Sequence, residues 1–337
     1  MRRNNPVAKL KLKTKVIFSG EEGIDSGGLT KEWFLELSRS LLDPQRCLLA
    51  KLEEAKGTIK YHIDHRSSIN DQHLQYFHFL GIILAKAIYD RQLIDLPVCK
   101  AIYKYILGRP ATLDDLEEMD PLYHRSIVWM LKNDIDDIIY ETFTTTVENF
   151  GQMEEVELIP GGKEIPVTNA NKARYVQAIL DWKTFGSVAR QLKSVREGFQ
   201  EVLPIYEIRD FTEHELDLLL NGKQNFDVNE MRQATRYTGG YDANSSPIKI
   251  FWKVLGEFDR EKRGQLLQFS TGSSKVPLDG YDPCFTITMA TSEAGTQALP
   301  TSHTCFNQLV LPAYANEEEM LKKLDYALEN AGGFHMS

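Results

Sequence analysis

The segment "NDQHLQYFHFLGIILAKAIYDRQLI", residues 70–94, narrows the possible folds more than any other. Leu74, Phe77, Leu80, Ile83, Leu84, Ala87 and Ile88 recur at helical spacing, and Asn70 or Asp71 can cap the start. A helix this apolar needs a core around it. At 337 residues the chain exceeds the usual size of one hydrophobic core, so two or more domains are expected. His73 and His78 on this helix read as packing or surface residues rather than ligands.

Other stretches carry local signals. "KLKLKTKVIF" alternates Lys9, Lys11, Lys13 and Lys15 with Leu10, Leu12, Thr14 and Val16, the period of a half-buried strand with one solvated face. Gly27-Gly28 reads as a turn, with Thr30 capping a helix that carries Trp33, Phe34 and Leu37. "DLPVCKAIYKYILG" predicts a helix with Pro97 near its start and Gly108 after its end. "FTTTVENFGQMEEVELIPGGKEIPV" predicts short strands. Residues 169–204 read as helical, with a break near Gly186. A helix then runs into Asn221, Gly222, Lys223, Gln224 and Asn225, a polar segment that is the candidate domain boundary. Beyond it come a helix with Pro247 in its first turn, a second ending before Gly272, and strands in "CFTITMA" and "CFNQLVLP". A last helix has Asn316 and Glu319 as a capping box and ends at Gly332-Gly333.

Between residues 111 and 160, carboxylates from Asp114 to Glu157 face only Arg125 and Lys132, with Leu122, Tyr123, Ile127, Trp129, Met130, Ile138, Ile139 and Tyr140 interleaved. Most of these carboxylates read as a solvated face. The same pattern describes an apolar groove rimmed by acid, suited to a basic partner.

Several classes are excluded. The net charge of −9 argues against wholesale nucleic-acid binding. No apolar run is long enough to span a bilayer, and the basic start has no secretory apolar core. That abrupt start suggests a domain cut from something larger. "TGSSK" lacks phosphate-loop spacing, "GEEGIDSGG" lacks a dinucleotide fingerprint, and "DIDD" lacks the rest of a calcium loop, so no cofactor or metal is expected. Cys47, Cys99, Cys284 and Cys305 are scattered without ligand spacing, which fits a reducing, cytoplasmic or nuclear setting.

Cys305 stands apart from the other three, which read as core. It lies in "LPTSHTCFNQLVLP", after Ser302, His303 and Thr304 and between Pro300 and Pro312. A single cysteine more often packs than reacts. The polar loop keeps this sulfur near solvent, and a nearby base would favour the thiolate of a group that ordinarily titrates near ~8.5.

"LPTSHTCFN", with "LLQFSTGSSKVPL" upstream, strongly resembles the HECT domain of ubiquitin-protein ligases. "EGIDSGGLTKEWF", "IPVTNANKARYV", "ELDLLLNG", "GGYDANSSPIKIFW" and the terminal "GGF" follow in the family's order, so the resemblance covers nearly the whole chain. It implies an α+β, bilobal fold. A mostly helical N-lobe spans 1–220, with a small subdomain at about 111–187 that binds the ubiquitin-conjugating enzyme. A hinge occupies 221–225 and a smaller catalytic C-lobe 226–337. The groove positions fall on Tyr123, Ile127, Tyr175 and Ile179; the family usually has leucine or an aromatic there, and Tyr123 and Ile179 depart in detail.

The resemblance further implies two acyl transfers. Cys305 takes ubiquitin from the conjugating enzyme as a thioester, and a lysine of a protein substrate then takes it as an isopeptide. His303 and Thr304 would orient the thioester or tune the thiol, Asn307 would fix the loop, and Phe334 would help delivery to lysine. Two other readings of the residues stay open: a thiol hydrolase with a histidine base, and a non-catalytic partner-binding module.

Overall fold

The computed structural model describes residues 10–17, 28–52, 59–223, 226–291 and 295–331. The chain divides into two compact units. One comprises Met1–Leu12, Leu37–Arg91 and Asp95–Asp217; the other comprises Lys13–Glu36, Gln92–Ile94 and Leu218–Ser337. The second therefore gathers two segments that the sequence assigned to the N-lobe. Helix α1, Gly28–Leu42, crosses the division.

In the first unit, β1 (Leu49–Lys51) pairs antiparallel with β2 (Tyr61–Ile63). The apolar helix is α2, His73–Asp90. It starts after a turn in which Asn70 accepts from the amide of Gln72, and it buries Phe77, Leu80, Ile83 and Leu84 as the spacing predicts. α3 (Lys100–Leu107) starts after Cys99 and ends at Gly108 in the left-handed region. α4 (Leu113–Met119), α5 (Pro121–Lys132), the hairpin β3 (Thr144–Asn149) and β4 (Gln152–Glu157), and α6 (Lys172–Thr184) follow. They share a core of Leu116, Ile127, Ile135, Phe143, Tyr175 and Ile179.

α7, Ala189–Val202, crosses α2 almost backbone to backbone. A Cβ added to Gly81 would lie 1.9 Å from the Val195 carbonyl oxygen, and one added to Gly198 would lie 1.9 Å from that of His78. Only glycine at both positions permits so close an approach. The short α8 (Ile205–Ile208) follows, and α9 (Glu213–Asn221), like α1, crosses the division.

In the second unit, α10 (Val228–Ala234) precedes β5 (Arg236–Thr238), and α11 (Ser246–Glu257) and α12 (Arg260–Thr271) lead to β6 (Thr286–Met289). β7 (Thr301–His303), β8 (Gln308–Leu311) and α13 (Glu317–Ala331) close the described chain. The sheet order is β5-β6-β8-β7, parallel except for the antiparallel edge strand β7. Ile287, Leu309 and Leu311 alternate inward onto Phe251, Leu255, Leu267 and Leu324. Asn316 accepts from the amide of Glu319, and the Glu319 carboxylate reaches back to the amide of Ala315.

Three local expectations are corrected. Residues 10–17 form no strand: Leu12 and Ile17 are exposed and only Val16 is buried. Alternation alone cannot supply the neighbouring strand whose hydrogen bonds define a sheet. Thr30 does not cap α1 but lies inside it, its hydroxyl 3.5 Å from the Thr14 carbonyl. Residues 301–303, read as loop, form the edge strand β7.

Candidate functional site

Cys305 sits at the tip of a hairpin in the second unit. β7 and β8 pair Thr301 with Val310 and His303 with Gln308, and a 3-10 turn, Thr304–Phe306, joins them. Asn307 closes the turn at φ +48°. Asparagine tolerates this left-handed conformation better than most residues. It is also almost wholly buried, and every polar group it has is used. Its amide donates to the Thr304 carbonyl at 3.2 Å, and its own carbonyl accepts from Thr286 at 2.9 Å. Its side-chain amide donates to the Pro283 carbonyl at 2.7 Å, and Oδ1 accepts from Lys31 Nζ at 2.7 Å. The sulfur two residues earlier is half-buried, on a turn whose far end cannot drift.

Lys31 comes from α1, within the second unit. Its ammonium also donates to the Thr271 carbonyl at 3.0 Å. Burial pulls its pKa down to about 8, opposed by the negative charge that Cys305 carries as a thiolate. This residue lies in the quoted motif "EGIDSGGLTKEWF", yet the sequence did not mark it as part of the cysteine's surroundings. Its partners Thr271 and Asn307 are 240 and 276 positions away.

His303 is exposed on β7, and Thr304 is half-buried in the turn. Among the described residues, no hydrogen bond joins the His303 ring to the Cys305 sulfur. Phe334, Gln224 and Asn225 lie outside the described residues. Asn221 is buried at the end of α9. Gly222 follows at φ +69°, and Lys223 exchanges two backbone hydrogen bonds with Val276, at 2.7 and 3.1 Å. All three residues belong to the second unit, and Lys223 is bonded within it.

The other cysteines correct one expectation. Cys99 is fully buried, and burial pushes its thiol well above the ordinary range. Cys284 is exposed and Cys47 half-buried, so neither is a core residue. Cys284 is in phase with Thr286 and Thr288, on the face opposite the buried Phe285 and Ile287, so it points away from the core. Exposure alone therefore does not distinguish Cys305; its place on a pinned turn does.

In the first unit, a groove of about 840 Å³ opens between α5, residues 138–141, β3 and α6. Tyr123, Ile127 and Tyr175 line it. Ile179 does not: it is completely buried beneath, in the subdomain core. Burial raises the pKa values of both the Tyr123 and Tyr175 phenols, which stand close enough to influence each other. Lys183 Nζ stands 4.1 Å over the Tyr123 ring and 3.3 Å from an Asp120 oxygen. Trp129, Ile138 and Tyr140 also line the groove and are 46%, 60% and 85% exposed, a large apolar lip for solvent to cover. Asp136, Asp137 and Glu141 are exposed beside it. Trp129, Ile138 and Tyr140 belong to the apolar pattern of the acidic stretch, but the sequence did not single them out as groove residues.

The chain is similar to known proteins along nearly its whole length. A family profile described as "HECT-domain (ubiquitin-transferase)" matches residues 35–337. The chain is 42% identical over 318 residues to "E3 ubiquitin-protein ligase TOM1-like" of Neurospora crassa, covering 93% of this chain and 8% of that protein. It is 40% identical over 329 residues to "E3 ubiquitin-protein ligase ptr1" of Schizosaccharomyces pombe, covering 96% and 10%. It is 38% identical over 333 residues to "Probable E3 ubiquitin-protein ligase hulA" of Neosartorya fischeri, covering 96% and 40%. The chain thus spans less than half the length of each of these relatives. With an α+β fold, a cysteine on a pinned turn and a family match running from residue 35 to the last residue, the chain belongs to the HECT-domain (ubiquitin-transferase) family.

Proposed function

We propose that this chain is the catalytic domain of a ubiquitin-protein ligase, with Cys305 as the temporary carrier of ubiquitin. The observation that carries the reading is the hairpin tip: a half-buried thiol on a turn whose far end is held by the four hydrogen-bonded groups of Asn307. The Cys305 thiolate attacks the carbonyl carbon of the thioester on the conjugating enzyme. The new C–S bond forms as the old one breaks, and the enzyme's cysteine leaves as a thiolate. A substrate lysine amine then attacks the Cys305 thioester, the amide C–N bond forms, Cys305 leaves as a thiolate, and the amine gives up a proton.

The first step exchanges one thioester for another and needs little driving force. Alignment is what it needs, and holding two reactants in line is worth about 7–11 kcal/mol. The groove on Tyr123, Ile127 and Tyr175 holds the conjugating enzyme, its acidic rim favouring a basic face. Residues 221–225 act as the hinge, with Lys223 travelling on the catalytic side because it is bonded to Val276. His303 and Thr304 orient the thioester, and Phe334 assists delivery to lysine. Protein substrates are chosen by parts of the longer protein. A carrier thiol belongs in a reducing compartment, cytoplasm or nucleus.

The test is an adduct. Mixed with ubiquitin-charged conjugating enzyme, the chain should form a reductant-sensitive ubiquitin adduct that disappears in Cys305→Ala. Removing 334–337 should spare the adduct and impair isopeptide formation. No adduct with any of a panel of conjugating enzymes would leave a non-catalytic binding module. The thiol hydrolase is disfavoured because the His303 ring is exposed and unattached to the sulfur.

A further inference from the structure

The C-terminal end of α12 lies against the catalytic turn. Gly272 ends that helix in the left-handed region, and a Cβ placed on it would stand 3.6 Å from Cβ of Thr304. The last carbonyls of a helix have no partner within it and carry the negative end of its dipole. A thiolate at Cys305 is the charge that such a site disfavours. Lys31 stands at this junction. Its ammonium is shared between the Thr271 carbonyl, 3.0 Å away at the helix end, and Oδ1 of Asn307, 2.7 Å away at the end of the turn. Among the described residues no carboxylate pairs with it; its partners are two neutral oxygens. All four groups belong to the second unit.

We propose that Lys31 is a positioning residue for thioester chemistry at Cys305, fixing the turn through Asn307 and offsetting the negative end of α12 beside the thiolate. The proposal rests on Cys305 being the ubiquitin acceptor. Two neutral acceptors could have been met by a neutral donor; a lysine supplies the same bonds and a positive charge. The same reasoning explains why a half-buried ammonium is tolerated here: the anion it serves is the thiolate itself, present for the part of the cycle in which the sulfur attacks or leaves.

Two readings of Lys31→Met and Lys31→Arg test this. The first is single-turnover thioester formation against the concentration of ubiquitin-charged conjugating enzyme. Lys31→Met should lower the maximal rate about ten-fold, within the range of a charge at a helix end, with the half-saturating concentration unchanged. Lys31→Arg should restore most of it, because it keeps the charge and the donors. The second is the rate at which iodoacetamide alkylates Cys305 at fixed pH, followed by peptide mass so that Cys47 and Cys284 do not interfere. It should fall in Lys31→Met and recover in Lys31→Arg. Wild-type values for Lys31→Met in both readings overturn the proposal, as does an arginine variant as slow as the methionine variant. Should Lys31→Met lose its melting transition, Lys31→Gln, neutral but still a donor, carries the same readings. Failure of the wild-type chain to form any adduct on Cys305 strikes the proposed function instead, and the alkylation rates still report on Lys31.

Discussion

The side-chain amide of Asn307 donates to the carbonyl of Pro283 across 2.7 Å, tying the turn that bears Cys305 to the segment leading into β6. Asn307 is buried while Pro283 lies on an exposed segment, so removing the side chain frees the Pro283 carbonyl to water but deprives Lys31 of one of its two acceptors. Asn307→Ala should cost about 1–3 kcal/mol for the lost side-chain bonds, and the left-handed backbone adds strain once asparagine is gone. The melting temperature should fall, and the rate of thioester formation should fall further than the lost stability explains. An unaltered rate in folded protein would show that Cys305 does not depend on this anchor.

The groove separates binding from folding. Ile138 is 60% exposed, so Ile138→Asp should change stability by no more than about 0.5 kcal/mol while weakening binding of the conjugating enzyme. Ile179 is wholly buried, and Ile179→Ala should destabilise by about 2–5 kcal/mol. Calorimetric unfolding and titration with an uncharged conjugating enzyme read the two effects apart.

Gly81 and Gly198 hold α2 and α7 together at a distance no Cβ permits. Gly81→Ala and Gly198→Ala should each lower stability severely, beyond the about 1–3 kcal/mol typical of overpacking, because the colliding atoms are backbone. The double variant should lose less than the two single losses together, since the first already forces the helices apart. Chemical denaturation of the three variants measures this coupling.

His62 is fully buried, and its Nε2–H donates to the Thr184 carbonyl at 3.1 Å. Burial pulls its pKa from 6.5 to about 4. The unfolded chain takes up this proton at a higher pH than the folded one. The contribution of His62 is therefore fully present above pH 6.5 and is lost as pH falls from there toward 4, by about 2 kcal/mol at pH 5. His62→Gln should be less stable than the parent at neutral pH and close the gap as the solution is acidified. Parallel unfolding curves at pH 7.5 and pH 5 check the sign.

Much of the fold was legible because its signals are local. The spacing of Phe77, Leu80, Ile83 and Leu84, the stops at Gly108 and Gly272, and the cap at Asn316 each act within a few residues. The lysine-rich start misled for the complementary reason: its alternation is real, but a strand needs a neighbour that sequence does not supply. Cys284 misled for another reason: the residue type suggested burial, but its phase with Thr286 and Thr288 puts it on the outward face. The resemblance puts Ile179 in the groove, but it lies in the core beneath it, since spacing along a helix does not say which face a neighbour covers.

The sequence by itself determined the family and most of the helices, and singled out Cys305 as the candidate carrier, through ordered motifs and periodicities that survive without coordinates. The tertiary structure decided what surrounds that cysteine. Lys31 reaches Asn307 across 276 positions, and Asn307 reaches Pro283 across 24. Burial, unpaired helix ends and the placement of an ammonium are properties of neighbours in space, and no spacing along the chain encodes them.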